Sequence, residues 1–323
     1  MDLSFVEQSN ILGLNNFYKL LSTFNKMKHN LKITIILLSM FLITQLIGLF
    51  VINHYSVQEN ELPYGLGSET PQEPSEYNLI FVSIVFAFVL AIGILFFLIR
   101  FDLSFILRLW FFVVVVLALG ITFNYFFKNL QHAAILALVI ALPLAFLKIY
   151  KQNYLVHNLT ELLIYPGLAA VFVPILNFTT MIILLILISI YDAWAVWKSG
   201  IMQKMAKYQI NNVKTFSGFF VPYLNKKQKE KLRKMRKSEK EKLRKKGIKV
   251  NVAILGGGDV AFTLIPAGVM LKTFGLTSAI LVILGALVGL SSIFLISKKK
   301  KFYPAMPFIT AGIFLGILVN YLL

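Results

Sequence analysis

The sequence predicts an all-α polytopic membrane protein with nine transmembrane helices, and three observations carry that prediction. Of the 323 residues, 58% are apolar or aromatic and only 14% are charged, with a mean hydropathy of +0.77. A soluble domain carries roughly 45–50% apolar and about 25% charged residues, so one water-soluble core cannot hide this much apolar side chain. The apolar residues also gather into runs long enough to cross about 30 Å of hydrocarbon. Finally, the basic residues are segregated along the chain in a pattern that a membrane topology explains.

The runs are read in order as nine spans. The first covers Ile33 to Ile52, the second Leu79 to Ile99, the third Ser104 to Phe127 and the fourth Ala133 to Leu147. The fifth, Leu159 to Leu176, is interrupted by Pro166 and Pro174, and the sixth is Thr180 to Trp197. After a polar stretch come Val252 to Leu271, Leu276 to Ile296 and Phe302 to Leu322. Prolines are tolerated inside such helices where neighbours re-satisfy the backbone. The mixed residues before the first run do not read as a secretory signal, because that run has full spanning length. Phe5, Ile11, Leu12, Leu14, Phe17 and Leu20 suit a short surface helix there.

Charge tests the threading. With a cytoplasmic N-terminus, 30 of the 32 Lys and Arg residues fall on the inner side, leaving Lys128 and Lys272 outside. The first outer loop holds Glu59, Glu61, Glu69, Glu73 and Glu76 and no Lys or Arg. This is the positive-inside pattern, and a miscount by one helix would scramble it. The reading is therefore N-terminus inside and C-terminus outside. It divides the chain into a cytoplasmic segment (1–32), helices one to six (33–198), a basic cytoplasmic loop (199–249) and helices seven to nine (250–323).

Within the loop, Ile201, Met205 and Tyr208 share one helical face of Ile201 to Val213, which suits a helix lying on the inner leaflet. Lys226 to Lys249 reads as a solvated charged run beside anionic lipid. The net charge of +18 therefore records topology and not nucleic-acid binding, since the run has no interleaved aromatics. The apolar patch Phe216, Phe219, Phe220, Val221 and Tyr223 either rests on the membrane or covers a site between helices six and seven.

Chemistry is narrowed by what is missing from the sequence. There are no cysteines, which excludes disulfides, thiolate metal sites and cysteine nucleophiles. His29, His54, His132 and His157 are scattered, so neither a metal nor another cofactor is expected. No His-Glu-x-x-His is present, and no histidine follows His157 to serve the late Ser291 and Ser292.

Two acids remain inside the spans, Asp192 in the sixth and Asp259 in the seventh. A lone aspartate at mid-span costs about 2.5–3.5 kcal/mol, and such residues are functional hypotheses by default. Asp102 and Glu161 lie nearer span boundaries and read as interfacial salt partners. Asp192 precedes Lys198 by six residues, roughly 9 Å at 1.5 Å per residue. Asp259 follows Lys249 by ten residues, roughly 15 Å by the same rule. Both sit in the cytoplasmic half of consecutive antiparallel helices, with no Lys or Arg at their depth. Two carboxyl groups in a low dielectric share a proton, so one serves as general base on a water while the other protonates a carbonyl oxygen.

Gly256, Gly257 and Gly258 precede Asp259 and cost about 1 kcal/mol each in a helix interior, which favours a loosened backbone open to close approach. A phosphate loop is rejected because no Gly-Lys-Ser/Thr follows. Gly285 and Gly289 read as a helix-packing motif. Pro304-Ala305-Met306-Pro307 opens the ninth helix near the depth of the two aspartates.

Taken together, these residues resemble the presenilin and signal peptide peptidase family of intramembrane aspartyl proteases, and in size an archaeal presenilin homologue. The family pattern is Tyr-Asp on helix six, Gly-x-Gly-Asp on helix seven and Pro-Ala-Leu at the start of helix nine. Here it reads Tyr191-Asp192, Gly256-Gly257-Gly258-Asp259 and Pro304-Ala305-Met306, with Met in place of Leu. The resemblance implies that Asp192 and Asp259 are catalytic. Tyr191, Gly256, Gly257 and Gly258 would shape the cleft, and Pro304, Ala305 and Met306 would contact an unwound substrate segment.

It further implies transmembrane-helix substrates, a multi-pass protein of the plasma membrane, and a Phe216 to Tyr223 patch that acts as plug or self-substrate. By the same analogy, substrates with an outside N-terminus are preferred. A homo-oligomer is compatible with it. The alternatives are a proton- or cation-coupled transporter using the same two aspartates and a catalytically silent peptide-binding scaffold.

Overall fold

The structure, a computed structural model, describes residues 31–66, 71, 73–101, 103–151, 153–199, 217–223, 251–296 and 303–323. The expected helices in 1–30 and 201–213, the basic run 226–249, Lys298 to Lys301, Asp102 and Phe216 lie outside the described residues.

Among the described residues there are nine α-helices: α1 (Leu31–Ile52), α2 (Pro74–Arg100), α3 (Ser104–Phe126), α4 (Ala133–Phe146), α5 (Tyr154–Phe172), α6 (Phe178–Trp194), α7 (Gly257–Phe274), α8 (Leu276–Ile296) and α9 (Met306–Leu322). Seven of the helices are long and apolar enough to cross a membrane; α9 is apolar but 17 residues long, and α7 does not qualify. Both exceptions are shorter than expected at their N-terminal ends. Tyr303 and Pro304 are non-helical, and Asn251–Gly256 forms a strand.

The expectation of purely helical structure therefore needs one correction. Strand β1 (Gly218–Tyr223) pairs antiparallel with β2 (Asn251–Gly256), with Gly218 opposite Gly256 and Tyr223 opposite Asn251. An apolar run as short as Val252 to Leu255 carries no periodicity that separates strand from helix. The fifth helix also differs from expectation. Asn153 caps it, its Oδ1 accepting the Leu155 N–H at 3.0 Å, so it starts five residues before Leu159. It continues past Pro166 and ends before Pro174.

Helix α7 is the centre of the molecule. Val260, Leu264, Ala267 and Val269 are fully buried, and the helix packs against α1, α5, α6, α8 and α9. A helix lined by protein on most sides needs less apolar surface than one facing lipid, which accounts for its modest hydropathy. Gly285 and Gly289 of α8 serve close helix packing as expected, and their partner is α9. A Cβ at Gly285 would overlap the Gly312 carbonyl oxygen, and one at Gly289 would overlap that of Phe308. By contrast, α2 has no buried residue and rests lightly on α3 and α6.

Candidate active site

Asp192 occupies the last turn of α6 and is 7% exposed. Its carboxylate Oδ2 accepts the backbone N–H of Met306 at 3.0 Å, and the Ala305 N–H also donates to it. These are donors at the start of α9, where N–H groups have no partner within the helix. Asp192 thus caps α9 from a neighbouring helix, and the polarity of a helix N-terminus favours a carboxylate there. Two turns of contact lock the pair of helices, because Ser189 Oγ and Thr310 Oγ1 are 2.7 Å apart.

Asp259 lies in the first turn of α7, half-buried, and its carboxylate accepts the N–H of Gly256. The helices that carry the two acids pack directly against each other. The three elements that carry the sequence motifs pack against one another, with α6 bearing Asp192, the β2–α7 junction bearing Asp259, and the start of α9 supplying donors to Asp192.

Each of the three glycines has its own environment. Gly256 is the extended N-cap of α7, and a Cβ there would sit 3.1 Å from Asp259 Oδ2. At Gly257 a Cβ would stand 2.5 Å from the Tyr165 hydroxyl and overlap Ser217 Oγ. Gly258 is exposed, with only Phe262 at ordinary contact distance, so its backbone is open to approach. Tyr191 points away from this junction, its ring edge-on to Phe88 of α2 at 5.6 Å. Pro304 and Met306 are buried and Ala305 is half-buried.

An apolar cavity of about 500 Å³ lies between α2, α5, α6 and α7. Phe88, Leu168, Phe172, Ile188, Phe262 and Ile265 are among its lining residues. Ile188 is one helical turn from Asp192, and Phe262 is about one turn from Asp259, so the cavity lies within about a turn of each acid along its helix.

The apolar patch of the long loop also has a place. Phe219 is fully buried in β1, and Phe220 is clamped by Asn158 of α5. Asn158 Oδ1 accepts the Phe220 N–H at 2.9 Å while its Nδ2 donates to the Phe220 carbonyl at 2.7 Å.

Sequence reasoning missed the support behind this junction. Glu161 was expected to be a salt partner, and it does pair with Lys148 at 2.5 Å, but in a buried cluster with His157 and Tyr165. The available signal was the spacing of His157, Glu161 and Tyr165, four residues apart on one face of α5. Among the described residues no group of His, Asp and Glu could hold a metal ion.

The family profile for signal-peptide peptidase, presenilin aspartyl protease matches residues 38–323. Two solved structures of a presenilin family intramembrane aspartate protease, in C222 and P2 space groups, share the fold. The first has a TM-score of 0.58 at 20% identity, covering 90% of this chain and 98% of its own. The second has a TM-score of 0.56 at 20% identity, covering 88% and 96%. No curated protein matches the sequence. With the family profile spanning most of its length, the chain belongs to the signal-peptide peptidase and presenilin family of aspartyl proteases.

Proposed function

We propose that this chain hydrolyses peptide bonds of transmembrane segments within the bilayer, with Asp192 and Asp259 as the catalytic pair. The observation that supports the reading is that the two acids, with no Lys or Arg ion pair among the described residues, stand on helices that pack directly against each other. Two such groups share one proton. The ionised member takes a proton from water as it attacks the scissile carbonyl, and the protonated member donates to the carbonyl oxygen. Breakdown returns a proton to the leaving amine. No metal or other cofactor enters this scheme.

A helical peptide bond is shielded by its neighbours, so the substrate must unwind where it is cut. The open backbone at Gly258 suits an extended segment, and the apolar cavity beside the acids suits side chains of the adjoining helical part. The start of α9 holds Asp192 through backbone donors, which supports a place for Pro304, Ala305 and Met306 at the edge of the site.

We further infer a multi-pass plasma-membrane protein with six helices before the basic loop and three after it. The segregation of Lys and Arg supports a cytoplasmic N-terminus and contact with anionic lipid of the inner leaflet.

The test is cleavage of a fluorogenic transmembrane peptide by the purified protein in detergent. Wild type is expected to cleave, and Asp192→Asn and Asp259→Asn are each expected to fall to background. Persistent cleavage by either single variant would refute the pair.

A further inference from the structure

Five polar side chains that this chemistry does not use form a connected chain behind the β2–α7 junction. Glu161 and Lys148 are 1% and 8% exposed, and Lys148 Nζ donates to Glu161 Oε1 at 2.5 Å. Lys148 Nζ also lies 3.2 Å from His157 Nδ1, and an ammonium group can only donate. His157 Nδ1 is therefore the acceptor, which leaves the ring proton on Nε2 to donate to the Gly218 carbonyl of β1 at 2.7 Å.

The second carboxylate oxygen of Glu161 accepts the Tyr165 hydroxyl proton. With that proton committed, Tyr165 Oη is left to accept from Ser217 Oγ, 3.3 Å away. The Ser217 carbonyl in turn accepts the Gly257 N–H at 3.2 Å, at the first position of α7.

A buried ion pair is a poor device for stability, because an apolar pair of similar volume does as well or better. What this one does is geometric. It fixes both oxygens of Glu161 and so fixes the Tyr165 hydroxyl, which abuts the Cα of Gly257 closely enough to leave no room for a Cβ. Gly256, on the other side of that position, supplies the N–H that holds the Asp259 carboxylate. The same cluster pins β1, through His157 and the neighbouring Asn158, and β1 pairs with the strand that delivers Gly256.

We propose that Tyr165, braced by Glu161 and Lys148, is a positioning residue that sets the first turn of α7 and so aims Asp259 at Asp192. This rests on the reading of the two aspartates as the catalytic pair. Tyr165 makes no contact with substrate in this scheme. It acts through Gly257.

Tyr165→Phe tests it, because the change removes one hydroxyl and leaves the Lys148–Glu161 pair intact. With purified full-length protein and the fluorogenic peptide, kcat is expected to fall about 10- to 100-fold with KM within about twofold of wild type. The thermal midpoint is expected to stay near that of wild type. The infrared carboxyl band that disappears in Asp259→Asn is expected to shift in Tyr165→Phe. An unchanged kcat, or a loss confined to KM, would overturn the proposal. If Tyr165→Phe does not fold, Ser217→Ala is judged by the same kinetic split. A wild-type protein that does not cleave would overturn the protease reading itself. Active wild type, inactive aspartate variants and a fully active Tyr165→Phe would overturn this inference alone.

Discussion

At the scale of single residues, the two acids of the site sit in contrasting surroundings. Asp192 is held by backbone donors from another helix, Asp259 by a donor three residues before it. Both acids were legible in the sequence because an uncompensated aspartate inside a span is costly and rare. Their partners were not, since a backbone N–H belongs to every residue and carries no signature. The Lys148–Glu161 pair was hidden for a related reason. Its members lie on either side of a helix break, so no helical spacing relates them.

The Met306 side chain is 3% exposed, while its N–H does the work at Asp192. Met306→Leu, which conserves volume, is expected to keep activity and cost under about 1.5 kcal/mol. Met306→Ala is expected to lose about 2–5 kcal/mol through the cavity it leaves. Thermal unfolding in detergent, run beside the cleavage assay, separates the two. Loss of activity in Met306→Leu without loss of stability would show that the side chain, and not the backbone, carries the role.

At the scale of elements, the helix count was legible and the β1–β2 pair was not. Long apolar runs announce helices by length alone, whereas a strand of four or five apolar residues is defined by a partner some thirty residues away in the chain. The triple glycine gave a hint of irregular backbone, and the strand-to-helix switch falls within it at Gly256 and Gly257. The packing role of Gly285 and Gly289 was readable, but their partner was not, and the structure supplies it as α9 with Gly312 and Gly316.

That contact gives a prediction with a diagnostic sign. Gly→Ala within a helix normally gains about 0.5–1 kcal/mol. Gly285→Ala is expected to destabilise instead, by about 1–3 kcal/mol, because its Cβ would meet the Gly312 carbonyl. A thermal midpoint equal to or above wild type would contradict the close approach.

At the scale of the whole molecule, the proposed topology gives every loop a side, and the absence of cysteine makes that proposal easy to test. In the proposed topology, single cysteines placed at Glu61 and at Lys226 fall on opposite sides of the membrane. In intact cells, a membrane-impermeant thiol reagent is expected to label Glu61→Cys and to spare Lys226→Cys until the membrane is opened. The reverse pattern would invert the topology and strand the site on the wrong side.

The architecture also explains why only seven of the nine described helices are long and apolar enough to span the membrane, although the apolar runs of the sequence number nine. The helix carrying Asp259 is wrapped by five others and the helix capped by Asp192 begins late, so both are selected for packing around the acids more than for contact with lipid.

The central claim is that Asp192 and Asp259 together hydrolyse a peptide bond inside the membrane. Its most direct measurement is mass spectrometry of a transmembrane peptide incubated with the protein in ¹⁸O-enriched water. The account predicts a cut within the apolar segment, one ¹⁸O in the new carboxyl terminus, and no product from Asp192→Asn or Asp259→Asn. Labelled product from either variant, or a cut confined to the soluble flanks, would contradict it.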